Sequence, residues 1–267
     1  AHKLFSGDVR RDEIDFLVFV TQSPDYLVPT SACIIQYRLA LPSSCMAFDI
    51  NLGCSGFIYG LAIASSLIKT GLAQQGLLIC GDTYTKFIDA ADRTCRPLFS
   101  DAAVATLIQK TDRALLGPFE LGTDGSGSND LVVTDSALRD TNKQRVAPGT
   151  LFMNGSKVYL FTLDAVPKCV TALLAKAHMQ MEDIDLFVFH QASKLVMDSI
   201  IRRLSLPEEK VYCNYARIGN TVSASIPIAL KDAANEGRLH IWNLVMLIGF
   251  GVGYSWGGCI IEWNDIL

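Results

Sequence analysis

At 267 residues, half of them hydrophobic and 19% charged, the chain carries enough apolar material for a continuous core of one large domain or two ordinary ones, which excludes disorder, collagen-like repeats and charged solenoids. Lysine and arginine number 23 against 27 aspartates and glutamates, a net charge of −4, so no general positive field is available to hold a phosphate backbone and no nucleic-acid role is expected. The longest apolar run noted, Phe57 to Ile68, is cut by Ser65 and Ser66 and closed by Lys69, short of the roughly eighteen residues that cross a bilayer, so no membrane association is expected.

In chain order, the opening AHKLFSGDV carries neither a Met nor a signal-peptide pattern. Glu13 to Phe19 (EIDFLVF) is an acidic start followed by an apolar run short enough to be a buried strand, and SACIIQYRL (31 to 39) follows with helical spacing. MAFDINLGCSGFIYGLAIASSLIK predicts a strand, a tight turn and a buried helix of small residues, with Gly71 at the C-cap. GLLICG (76 to 81) is a second buried strand, a glycine-rich stretch occupies 122 to 130, and a long helical pattern runs from Asn154 to His178. Then the order returns: Asp183 to Phe189 (DIDLFVF), a helical pattern over 193 to 204, the turn Gly219-Asn220-Thr221, a helix ending at Gly237, and the strand NLVMLIG (243 to 249).

The second series repeats the first at a nearly constant offset, with Gly53-Cys54-Ser55 opposite Gly219-Asn220-Thr221. The expected fold is therefore α/β: two pseudo-symmetric βαβαβ halves, 1 to 110 and 154 to 267, joined by 111 to 153, with mostly parallel sheets covered by helices on both faces. Matching turns of the two halves are expected to meet near a pseudo-twofold axis.

Cys54 sits in the turn before a helix, where unpaired N–H groups and the helix dipole favour thiolate over thiol. A single cysteine is more often a packed core thiol, the reading that fits the other seven (33, 45, 80, 95, 169, 213 and 259), which show no CxxC spacing. Free thiols of this kind suit a reducing cytoplasm and neither a disulfide scaffold nor a zinc ribbon. His190 ends a strand at the side where open α/β sheets bind ligands, although a buried histidine is often only a core residue. His2, His178 and His240 form no ligand-spaced pair, and no metal is expected. Asn220 is a natural helix N-cap, yet it occupies in the second half the place of Cys54 in the first. A thiol, a neutral imidazole and a carboxamide together suit attack on a thioester and stabilisation of an enolate oxygen. Gly249-Phe250-Gly251-Val252-Gly253 lacks GxGxxG spacing and precedes another strand, YSWGGCIIEW, so it is no dinucleotide loop.

CSGF (54 to 57), HQAS (190 to 193), GNTVSAS (219 to 225) and GFGVGYSWGG (249 to 258) stand in the order of the signatures of β-ketoacyl-acyl-carrier-protein synthase III, a thiolase-fold family that the whole chain resembles. The resemblance implies a condensing acyltransferase of fatty-acid biosynthesis, cytoplasmic and homodimeric. It implies no cofactor beyond its substrates, acyl-CoA and a malonyl thioester on acyl carrier protein. It makes Cys54 the acylated nucleophile and gives His190 and Asn220 the malonyl thioester carbonyl. The backbone N–H groups of Cys54 and Val252 become the oxyanion hole, and Lys194, Arg202 and Arg203 the carrier-protein docking patch. A loop lining the partner's tunnel would be Tyr26 to Pro29. Relative to the family, an opening strand and helix are absent, FSDAAVA (99 to 105) lacks the usual glycines, Val252 replaces a glycine, and Leu195 stands at a common arginine position.

Three alternatives stand beside this reading. The order Cys, His, Asn is that of papain-like proteases, but their CGSCW-like turn and disulfide context are missing. A non-catalytic thiolase-fold partner would have no need of all three residues. An acyltransferase making an ester or amide through Cys54 is the nearest competitor.

Overall fold

The computed structural model describes residues 1–7, 9–138 and 149–264; part of the expected connecting segment and the last three residues lie outside these. The first sheet takes β1 (Phe16–Val20), β2 (Met46–Ile50), β3 (Gln75–Asp82) and β4 (Ala102–Gln109), with α1 (Ser31–Arg38) and α2 (Gly56–Lys69) between them. After β5 (Leu116–Thr123), the short pair β6 (Leu131–Val133) and β7 (Leu151–Met153) precedes α3 (Gly155–Ala177). The second half continues with β8 (Leu186–Phe189), α4 (Lys194–Leu204), the single turn α5 (Tyr215–Ile218), α6 (Ser225–Asn235), β9 (Leu244–Gly251) and β10 (Ser255–Glu262).

The strand orders are β2-β1-β3-β4 and β5-β10-β9-β8. β1 runs parallel to β2 and β3, and β8 parallel to β9, whereas β4 and β10 close antiparallel to β3 and β9. Both sheets are mixed, and the repeat shows in the pairing: β1, β3 and β4 match β8, β9 and β10. Two asymmetries break it. β5, from the segment read as a connection, pairs with β10, while the far edge of β4 carries no strand among the described residues. The counterpart of β2 is reduced to one bridge, Phe187 to Val211. There the Gln191 side chain does the work of a strand: its Nε2 donates to the carbonyls of Phe189 and Tyr212, and its Oε1 accepts from Asn214 N–H.

Alternation along the strands sorts the layers. Phe16, Val18 and Val20 of β1 and Leu186 and Val188 of β8 share one core with α2 and α6, so these two helices lie between the sheets. Small residues make that possible: a Cβ at Gly60 would meet Leu78 Cδ1 at 2.5 Å, and one at Gly56 would meet Val20 Cγ1 at 2.4 Å. Leu17 faces the other way, onto α1, as Phe187 and Phe189 face α3 and α4. Contrary to the sequence reading, α3 is long and apolar enough by length and composition to cross a membrane. Its Val166, Cys169, Val170 and Leu173 are nonetheless fully buried against the second sheet and α4, while Lys168 pairs with Asp164 on its outer side.

Candidate active site

Cys54, His190 and Asn220 line one cavity of about 250 Å³. Each stands in a turn: Cys54 after β2, His190 directly after β8, and Asn220 in the bend between α5 and α6. The nucleophile turn is clamped from the other half. Gly249 and Gly251 of β9 bring bare backbone against it, since a Cβ at Gly251 would lie 2.7 Å from Cys54 Cβ and 3.0 Å from its Sγ. Ser55 Oγ and Ser255 Oγ are 2.7 Å apart, which ties the turn to β10.

His190 is fixed on three sides. Its N–H donates to Ile248 O, its ring sits edge-on to Phe250, and its Nδ1 is 2.6 Å from Ser225 Oγ. Gln191 N–H donates to the same Ser225 oxygen; a hydroxyl proton given to Nδ1 would leave the neutral ring's own proton on Nε2. Burial lowers the imidazole pKa to about 3, so the ring is neutral at ordinary pH, as expected. Asn220 is bonded through its backbone to Leu98 O and Ser100 N–H, and its Oδ1 accepts from Val222 N–H at 2.9 Å. That fixes the amide with Nδ2 on the side away from the turn.

One expectation fails. α2 begins at Gly56, two residues past Cys54, and burial, with the charge of Asp82 second, pushes the thiol up to about 12. Desolvation outweighs the helix terminus, and the resting nucleophile is a thiol. It lies in an apolar cluster with Tyr84, Phe99, Leu131, Leu151 and Val222, a setting for an alkyl chain and not for an ion pair.

The remaining predicted residues are placed as follows. Val252 follows Gly251, packs against the Cys54 cluster and lines a second cavity of about 600 Å³ with Tyr26, Leu27, Tyr84 and Leu151. Lys194 is the first residue of α4, next to Ser193 and Leu195 of the cavity lining, and is paired with Asp198 at 2.8 Å. Arg202 and Arg203 are exposed in the last turn of α4. Ser225, within GNTVSAS, is a further site residue whose only mark in the sequence is a hydroxyl five residues after Asn220; its burial against His190 comes with the fold.

The family model described as 3-oxoacyl-[acyl-carrier-protein] synthase III matches residues 48–125, and that for the C terminal region of the same enzyme matches residues 174–263. The β-ketoacyl-[acyl-carrier-protein] synthase III of Synechocystis is 37% identical over 97% of this chain and 80% of its own length, and that of Trichodesmium erythraeum 36% identical over 98% and 80%. Among solved structures, the 3-oxoacyl-(acyl-carrier protein) synthase of Burkholderia xenovorans superposes with a TM-score of 0.94 at 36% identity, covering 98% of this chain and 77% of that one. A priming β-ketosynthase of a polyketide biosynthetic pathway superposes with a TM-score of 0.90 at 29% identity, covering 98% and 78%.

Proposed function

The chain belongs to the 3-oxoacyl-[acyl-carrier-protein] synthase III family, and on that premise we propose that Cys54, His190 and Asn220 carry out the family's condensation here. The activity is that of a condensing acyltransferase of fatty-acid biosynthesis. Cys54 Sγ attacks the carbonyl of an acyl-CoA; the new S–C bond replaces the one to coenzyme A, which leaves as a thiol with the proton that Cys54 gives up. A malonyl thioester on acyl carrier protein then enters. Its carboxylate leaves as carbon dioxide, and the electron pair of the broken C–C bond moves through the α-carbon to the thioester oxygen. His190 Nε2–H and Asn220 Nδ2–H donate to that oxygen, which stabilises the enolate without moving a proton. The enolate carbon attacks the acyl carbonyl, whose oxyanion is held by the N–H groups of Cys54 and Val252, and collapse leaves a 3-oxoacyl thioester and expels the Cys54 sulfur as a thiolate, which takes a proton from solvent to restore the thiol.

The observation that carries this reading is the single cavity shared by the three residues, with a neutral imidazole held at Nδ1 by Ser225 Oγ. We further propose a cytoplasmic homodimer using no cofactor beyond its two thioester substrates. All eight cysteines are free, in keeping with a reducing compartment. The exposed Tyr26, Leu27 and Val28, at 61%, 65% and 84% exposure, are the loop offered to a partner's acyl pocket. Lys194, Arg202 and Arg203 are the proposed carrier-docking residues, and the halves 1 to 110 and 154 to 267, joined by 111 to 153, are the duplicated units.

Intact mass after exposure to a panel of acyl-CoAs tests the central claim. One acyl adduct per chain is expected, mapped to Cys54 and lost in Cys54→Ala. An adduct that persists in that variant would overturn the assignment.

A further inference from the structure

The register of β1 on β3 and of β8 on β9 makes Gly76 equivalent to Val245, and six residues on in each strand stand Asp82 and Gly251. Each strand end reaches the turn of the opposite half. Gly251 does so with bare backbone, leaving space for the sulfur. Asp82 does so with a carboxylate, 2% exposed, to which the catalytic steps above assign nothing. Its Oδ2 accepts from Ser223 Oγ at 2.5 Å and Ser223 N–H at 3.2 Å, and its Oδ1 accepts from Gln22 N–H at 2.7 Å and Thr21 Oγ1 at 3.4 Å.

Between Asn220 and Ser223 stands Val222, fully buried with a φ of +54°, a left-handed conformation that is costly for a β-branched residue and persists only where its surroundings impose it. That same residue's N–H orients the Asn220 amide. One of the contacts around that backbone is on its neighbour: Asp82 holds both the N–H and the hydroxyl of Ser223. We propose that Asp82 is a positioning residue for decarboxylation, locking the 220 to 223 turn so that Asn220 presents Nδ2 to the malonyl thioester oxygen. The role rests on the assignment of Asn220 made above. It requires an acceptor on both oxygens, since four donors converge on them; the amide of an asparagine at 82 would turn an N–H₂ against one pair.

Two half-reactions separate this role from a merely structural one: carbon dioxide release from malonyl-CoA, and acylation of Cys54 by acetyl-CoA followed by mass. For Asp82→Asn, and independently for Ser223→Ala should the first variant fail to fold, kcat for decarboxylation is expected to fall tenfold or more. KM should stay within about threefold; acylation should stay within about threefold in Ser223→Ala and should not fall in Asp82→Asn, where losing the carboxylate's charge eases ionisation of Cys54. The double variant is expected to be no worse than the poorer single one, because both remove one contact. Equal loss of both half-reactions, or decarboxylation unchanged in both variants, would overturn the proposal. Asn220→Ala run in parallel distinguishes the two levels: if it decarboxylates normally the assignment of Asn220 is itself wrong, whereas if it fails while Asp82→Asn does not, only the positioning role falls.

Discussion

Cys54 and His190 line one largely apolar cavity, and burial moves their two pKa values apart, the thiol up to about 12 and the imidazole down to about 3. Both are neutral over the whole range between, so the thiolate–imidazolium pair of a papain-like protease is not formed here, and the shared residue order is a coincidence of sequence. The two half-reactions inherit different pH responses. Acylation needs the thiolate, whose fraction well below the pKa rises tenfold per pH unit. The logarithm of the Cys54 acylation rate should therefore climb with a slope near one from about pH 6 to 9. Decarboxylation needs only the neutral imidazole, already complete at pH 5, and should show no imidazole titration between about pH 5 and 8. Single-turnover mass measurements and carbon dioxide release across that range check both. A plateau of acylation below pH 8 would mean that the sulfur ionises far more readily than its burial implies.

At the level of elements, the site is held by strand β9 pressing on the turn before α2. A Cβ at Gly249 would lie 2.8 Å from both Cys54 O and Ser55 Cα, backbone atoms that cannot swing aside, so the strand and turn would have to part. Gly249→Ala should cost about 1–3 kcal/mol of stability, the usual penalty of overpacking, with acylation falling further than stability does. Denaturant unfolding and adduct formation measure the two; a variant as stable and as active as the parent would show that β9 does not set the turn. The strands and helices around this contact were legible because β1 and β8 each bury a short run of large apolar residues, and because Cys54 and Asn220 stand in equivalent turns. Three things were not. The lost counterpart of β2 is replaced by the side chain of Gln191, which no periodicity reveals. The thiol's pKa depends on desolvation, a property of the assembled core. Asp82 meets Ser223 across 141 residues, and its only sequence mark is a charge at the end of the apolar strand GLLICGD, where the other half has Gly251.

For the whole molecule, the cavity draws Cys54 from the first half and His190 and Asn220 from the second, and it is lined on one side by Val158 and Tyr159 of α3 and by Leu195 and Val196 of α4. On the proposed docking at α4, the charge of that helix would decide the encounter more than the net charge of the chain does. Lys194 and Asp198 form an exposed i, i+4 pair, so their fields largely cancel; Leu195 beside them is 66% exposed and neutral. What remains is Arg202 and Arg203, about 12 Å further along the helix at 1.5 Å per residue, where cations also complement the helix C-terminus. Reversing both with Arg202→Glu and Arg203→Glu should raise KM for the malonyl carrier protein by roughly tenfold at low salt. The effect should shrink toward 1 M salt, where the screening length drops to about 3 Å. Lys194→Glu should do less, since it reverses one charge where the other variant reverses two. Acylation of Cys54 by acyl-CoA, which needs no carrier protein, should be nearly unchanged in both variants. Steady-state kinetics with malonyl carrier protein against malonyl-CoA make the comparison. Equal loss with both substrates would show that α4 had been damaged, and no loss with either would move the carrier to another face of the molecule.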